Sequence, residues 1–221
     1  MSEEKSYQEA PAAPSQAANL HYPAQAASLH YPAQAASLHY HEVLIAGFGG
    51  QGVVLAGRLL AGAALVDDRQ VVWAPSYGPE MRGGAVHCTV IISSERIGSP
   101  EVSFADSLLI MDRASLDRFK GRVRQDGLLV LNSSLVTPPD DMEACKILPI
   151  PANEIAEDLG ELRVANVVML GAFLQERPVV SLESLVEVMQ ELGGKSRAHL
   201  VAVNEQALSK GAELARQAHR G

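Results

Sequence analysis

From Glu42 onward, apolar and polar positions fall into short uninterrupted runs and longer periodic ones. Val43-Leu44-Ile45-Ala46 passes directly into Gly47-Phe48-Gly49-Gly50-Gln51-Gly52, and an almost uncharged segment, 53–66, follows. A buried strand, a tight turn and a buried helix written consecutively have this pattern. The prediction is a strand over 42–47, a turn over 47–52 and a helix over 52–66, closed by the polar break Asp67-Asp68-Arg69-Gln70. Gly57 and Gly62 inside that helix each cost about 0.5–1 kcal/mol relative to alanine, which close packing on a sheet would offset.

The pattern continues with strands over 70–74 and 85–93 (AVHCTVIIS), separated by the turn-rich loop 75–84. Residues 97–102 suggest a short extended piece. A buried strand over 107–111 precedes Asp112, placed to cap a helix over 113–124. Gly127–Asn132 reads as another buried strand, and 146–151 as a short one that Pro149 and Pro151 push to a sheet edge. After that, helical spacing dominates: helices over 153–159 and 162–175, a third capped by Ser181 and ended by Gly193 and Gly194, and a last one over 198–218. Strands alternating with helices imply an α/β fold, a three-layer sandwich around a mostly parallel sheet, with a helical C-terminal segment packed on it.

Residues 1–41 break the pattern. They carry a nine-residue repeat, NLHYPAQAA (19–27) and SLHYPAQAA (28–36), then a truncated SLHYH (37–41). Solenoid units run to about 20–50 residues, and these are too short and contain Pro23 and Pro32. His21, His30, His39 and His41 could be read as a metal-binding array. The simpler expectation is a flexible repeat-containing tail, 1–41, ahead of a folded domain, 42–221.

Composition narrows the function. The chain has 221 residues, 47% hydrophobic and 20% charged, as expected for one globular domain. Its net charge of −8 disfavours nucleic acid, whose binders present a basic face to phosphates. No apolar run approaches the roughly 20 residues of a membrane span. The N-terminus lacks the basic and apolar regions of a secretion signal, so a cytoplasmic protein with reduced thiols is expected. Cys88 and Cys145 are too few for a zinc or iron–sulfur site, and no metal ligand set is assigned.

Two stretches carry candidate chemistry. In the first, glycines 47, 49 and 52 permit positive φ and close approach of another molecule, and free N–H groups at the helix start would face an anionic or oxygen-rich partner. The G-x-G-x-x-G spacing invites a dinucleotide. The acidic residue that would hold its ribose should end the second strand, where Val72-Trp73-Ala74-Pro75 stands instead. No Gly-Lys-Ser/Thr follows to make a P-loop. The second stretch is Tyr77-Gly78-Pro79-Glu80-Met81-Arg82-Gly83-Gly84, expected on the same sheet edge. Arg82 could clamp a carboxylate or phosphate, or pair with Glu80. No histidine stands near enough in the loop to activate Ser76. The candidate cofactor-binding or subunit-interface set is therefore Gly47, Gly49, Gly50, Gln51, Gly52, Tyr77, Gly78, Glu80, Arg82 and Gly83, with no catalytic residue.

GFGGQG, PSYGPEMRGG, IGSP (97–100) and Asp106 before an apolar strand together resemble the γ subunit of 2-oxoacid:ferredoxin oxidoreductases, over about 42–208. The loop wording is most similar to the 2-oxoglutarate and branched-chain 2-oxoacid branches. Asn166 with Met169-Leu170-Gly171-Ala172 also resembles the family's C-terminal helix, and equally a helix packed through a glycine. The resemblance implies oxidative decarboxylation of a 2-oxoacid, most closely 2-oxoglutarate, to its acyl-coenzyme A, with reduction of ferredoxin. It further implies thiamine diphosphate, Mg2+ and iron–sulfur clusters on α and β partner subunits (with δ a further candidate), coenzyme A as co-substrate, and no cofactor on this chain alone. A stand-alone nucleotide-binding or regulatory α/β protein is the alternative.

Overall fold

The first strand, β1 (Tyr40–Phe48), lies between an antiparallel and a parallel neighbour, and the rest of the sheet follows from that position. The computed structural model describes residues 39–76, 85–193 and 198–218. After β1 come α1 (Val53–Val66), β2 (Gln70–Pro75) and β3 (Ala85–Ser93). Then follow β4 (Ala105–Ile110), α2 (Arg113–Phe119), β5 (Val123–Asn132) and β6 (Lys146–Ile150). Among the described residues four α-helices follow: α3 (Ala152–Asp158), α4 (Ala165–Glu176), α5 (Leu182–Gly193) and α6 (Ala198–Ala218).

The strand order is β2-β3-β1-β4-β5-β6. β1, β4, β5 and β6 are mutually parallel, while β3 runs antiparallel to both β1 and β2. Side chains alternate between the faces, with Val43, Ile45, Leu109, Leu128 and Val130 on one side and Leu44, Ala46, Leu108, Ile110, Leu129 and Leu131 on the other. Both faces are covered, so the parallel strands read as continuous apolar runs. The first face carries α1 and the four C-terminal helices, and the second carries α2 with the buried Val102 and Val136. The expected three layers and mostly parallel sheet are present.

The C-terminal helices are bound to α1 and to one another at named points. A Cβ on Gly171 of α4 would lie 2.0 Å from the Leu208 carbonyl oxygen of α6. A Cβ on Gly62 of α1 would lie 2.8 Å from a Val188 methyl of α5. Asp67, just past α1, accepts hydrogen bonds from Ser181 N (2.5 Å), Ser181 Oγ (2.9 Å) and Ser184 Oγ, and Ser181 Oγ in turn accepts from Ser184 N at 3.1 Å. Ser181 thus caps α5 as expected. The expected stop at Gly194 lies outside the described residues.

Several boundaries differ from the sequence expectation. β1 begins at Tyr40 instead of Glu42, because Tyr40 and His41 pair with Ser93 and Ile92 of β3. The helix expected over 113–124 ends at Phe119, and after one 3-10 turn β5 begins at Val123. Long-range partners account for this early strand start. Arg122 donates to the carbonyls of Val102 and Ser103, while Arg124 donates to the Phe104 carbonyl at 3.0 Å and pairs with Asp106 and the buried Glu42. The register with β4 shifts between Ala105 and Ser107, where Asp126 has φ 62 and a Cβ on Gly127 would meet the Arg124 carbonyl at 2.8 Å. Residues 97–102 form loop, not strand.

Candidate functional site

The turn after β1 opens at the carboxyl ends of the parallel strands, where the chain leaves β1 toward α1 on one side and β4 adjoins it on the other. Open α/β sheets bind ligands in the crevice at such a divergence. Of the glycines, Gly50 (φ 104) and Gly52 (φ 76) use left-handed backbone. Gly47 is required for space instead, since a Cβ there would lie 2.8 Å from the Met111 Cβ. Phe48, Gly49 and Gly50 are exposed.

Amide side chains hold the turn from behind. Gln51 Oε1 accepts from Phe48 N at 2.9 Å, and its Nε2 donates to the Met111 carbonyl at 3.2 Å, joining the turn to the end of β4. Buried Asn132, at the end of β5, donates to the same carbonyl (3.3 Å) and to Asn153 Oδ1 of α3 (2.9 Å). Asn166 of α4 donates from Nδ2 to the Gly52 carbonyl at 3.0 Å. Gly52 is the N-cap of α1 and supplies no side-chain cap for the helix's first N–H groups.

A cleft of about 260 Å³ lies beside the turn, lined by Phe48, Gly50, Gln51, Met111, Asn153, Leu162, Arg163 and Ala165. Arg163 also borders a second cleft, of about 220 Å³, that reaches Leu55, Asn166 and Met189. Its guanidinium is exposed and held by Glu161 through bonds of 2.7 and 2.8 Å, which keeps its pKa raised. Phe48, Leu162 and Leu55 are each about half exposed around these openings. A bare backbone turn, an uncapped helix start and an apolar rim can take another surface or an oxygen-rich group. No side chain in the turn is an acid, base or nucleophile.

The sequence-derived site divides accordingly. Gly47, Gly49, Gly50, Gln51 and Gly52 form this turn. Tyr77, Gly78, Glu80, Arg82 and Gly83 lie outside the described residues. Their flanks are placed: Ala85 pairs with Phe48 in register, and Ser76 N donates to the His87 carbonyl at 2.9 Å. Both ends of the second loop therefore leave the sheet on the edge that carries the turn. The dinucleotide reading loses its frame, because antiparallel β3 separates β1 from β2. Asn132, Asn153 and Arg163 were not singled out from the sequence. Nothing local marks them, and only the fold brings them behind the turn.

Away from the turn, burial lowers the pKa of His41 to about 4, with Arg177 and Arg124 adding to the effect and Asp106 opposing it. Burial raises that of Cys88 to about 12. Cys88 and Cys145 belong to opposite faces of the sheet, so the two cannot ligate one iron–sulfur cluster. Among the described residues no three His, Cys, Asp or Glu side chains gather as a metal site, and no helix is long and apolar enough to cross a membrane.

The family described as "Pyruvate ferredoxin/flavodoxin oxidoreductase" matches residues 42–214. The ketoisovalerate oxidoreductase subunit VorA of Methanothermobacter marburgensis is 40% identical over 179 residues, covering 80% of this chain but 37% of its own. This chain thus spans little more than a third of that relative. The 2-oxoglutarate synthase subunit KorC of Methanocaldococcus jannaschii is 37% identical over 182 residues, 80% of this chain and 94% of its own. The crystal structure of the keto/oxoacid ferredoxin oxidoreductase γ subunit from Geobacter sulfurreducens aligns with a TM-score of 0.68 at 32% identity, covering 80% of this chain and 99% of that one.

Proposed function

The chain belongs to the pyruvate ferredoxin/flavodoxin oxidoreductase family, and on that premise we propose that it is the γ subunit of a multi-subunit 2-oxoacid:ferredoxin oxidoreductase acting on 2-oxoglutarate. The reaction is oxidative decarboxylation to the acyl-coenzyme A with reduction of ferredoxin, in the cytoplasm. In this reading thiamine diphosphate, Mg2+ and the iron–sulfur clusters sit on partner α and β subunits. The chain works as a part and has no turnover alone.

The observation that carries this reading is the exposed glycine turn at the carboxyl edge of the sheet, rimmed by Phe48, Leu162 and Leu55 and without a side chain suited to catalysis. Such a surface is built to be covered. In this reading the turn and the second loop, with Tyr77, Glu80 and Arg82, close together over a partner's active site, and coenzyme A or the neighbouring chain meets them there. Similarity to the 2-oxoglutarate synthase subunit, at 37% identity, supports that substrate, and the ketoisovalerate subunit, at 40%, supports the branched-chain acid as the alternative.

Co-expression with subunits that carry a thiamine diphosphate site tests it. The expected result is co-purification and coenzyme A-dependent ferredoxin reduction, fastest with 2-oxoglutarate among 2-oxoglutarate, pyruvate and 3-methyl-2-oxobutanoate. Preference for another 2-oxoacid overturns the substrate alone. Elution as a free monomer with bound nucleotide overturns the subunit reading.

A further inference from the structure

We propose that Asn166 is a positioning residue for the glycine turn, fixing the direction in which α1 presents its first backbone N–H. What that N–H faces rests on the subunit reading above, while the positioning itself rests on local geometry. Asn166 is 1% exposed, and its Nδ2 donates to the Gly52 carbonyl at 3.0 Å. That carbonyl already accepts the Ala56 N–H at 2.8 Å, the first bond of α1. Asn166 Oδ1, also buried, meets no donor among the described residues.

For stability this is a poor use of an amide. It adds a second donor to a carbonyl already paired and leaves its own acceptor without a partner, whereas an apolar side chain of similar shape would carry no such penalty. The amide does fix a plane. The Gly52 carbonyl and the Val53 N–H belong to one rigid peptide unit, so holding the oxygen aims the N–H. No side chain caps α1 to do this instead. Gly52 is shaped for the contact, because its φ is 76 and a Cβ on it would lie 2.5 Å from Asn166 Nδ2. The support is firm: α4 is buried from Ala165 to Leu174 and locked to α6 through Gly171. A functional group held by a packed element keeps its geometry better than one held by a loop.

The test is Asn166→Leu, with Asn166→Ala as a second variant that adds no bulk. In the isolated chain the thermal midpoint should stay within a few degrees of wild type or rise. Backbone 15N shifts and order parameters should change over residues 49–55 and, beyond the neighbours of residue 166 itself, stay unchanged elsewhere. In the reconstituted complex the kcat/KM for coenzyme A should fall at least tenfold. Unchanged turnover in a complex that is active as wild type overturns the proposal, and so does a loss of turnover that only tracks a lost midpoint, which is what plain packing would give. If the wild-type complex shows no 2-oxoacid turnover, the subunit reading has failed, and the 15N comparison decides the positioning alone. Unmoved signals at 49–55 then overturn it.

Discussion

Gly211 of α6 faces the Val168 carbonyl of α4 so closely that a Cβ on it would come within 1.9 Å of that oxygen. The contact is reciprocal, with Gly171 against the Leu208 carbonyl at 2.0 Å. Two backbones thus meet where neither helix carries a side chain. Gly211→Ala should destabilise the chain by about 3 kcal/mol or more, since backbone cannot move aside as a flexible side chain would. Urea denaturation is the measurement. A loss below about 1 kcal/mol would mean that the helices separate freely.

Gly52 and Asn166 should be coupled. Gly52→Ala meets both a positive φ and the Asn166 amide. Truncating Asn166 to Ala removes the nearest atoms and leaves its Cβ 3.6 Å from the new methyl, an ordinary contact. The double variant should therefore be more stable than the sum of the single losses predicts, while the backbone strain, roughly 1 kcal/mol, stays. Strict additivity in thermal unfolding would contradict the geometry.

Stability should fall with acid through His41. Its folded pKa is lowered from 6.5 to about 4, chiefly by burial. Between those values the unfolded chain binds the proton and the folded chain does not, so stability rises with pH there. The contribution is complete above pH 6.5 and is lost as pH falls toward 4, to a total of roughly 3 kcal/mol. Comparing unfolding midpoints of wild type and His41→Gln from pH 7 to 4 isolates it. Parallel curves would show that His41 does not carry the slope.

Thiol labelling should separate the two cysteines. Cys88 is buried with its pKa raised to about 12, and Cys145 is half-buried. At pH 8 a disulfide reagent should modify Cys145 in the native chain and reach Cys88 only as the protein unfolds, because the thiolate is the reacting form. Equal native rates would contradict the burial of β3.

Much of the fold is legible along the chain. Apolar runs mark each buried strand, Asp112 accepts from Ser115 N at 3.1 Å as a cap should, and α6 spans the expected 198–218. These signals are local: periodicity, a capping oxygen, a glycine. Where the sequence reading errs, a distant residue decides. Arg122 and Arg124 read as the end of a helix until the carbonyls of 102–104 and the carboxylates of Glu42 and Asp106 are placed beside them. Gly127 reads as an ordinary strand start until the Arg124 and Asp106 carbonyls close on it.

The glycine turn shows the same division. Its sequence determined a strand, a tight turn and a helix start, because missing Cβ atoms and an apolar run act within a few residues. It also determined a chain with no catalytic side chain in that turn. Only the tertiary structure decided that β3 separates β1 from β2, and that Gly50 and Gly52 take the positive φ while Gly47 is needed for space. It alone brought Asn166 to the Gly52 carbonyl. A hydrogen bond between residues far apart in sequence depends on how two helices cross, and that crossing is set by packing the whole apolar face at once.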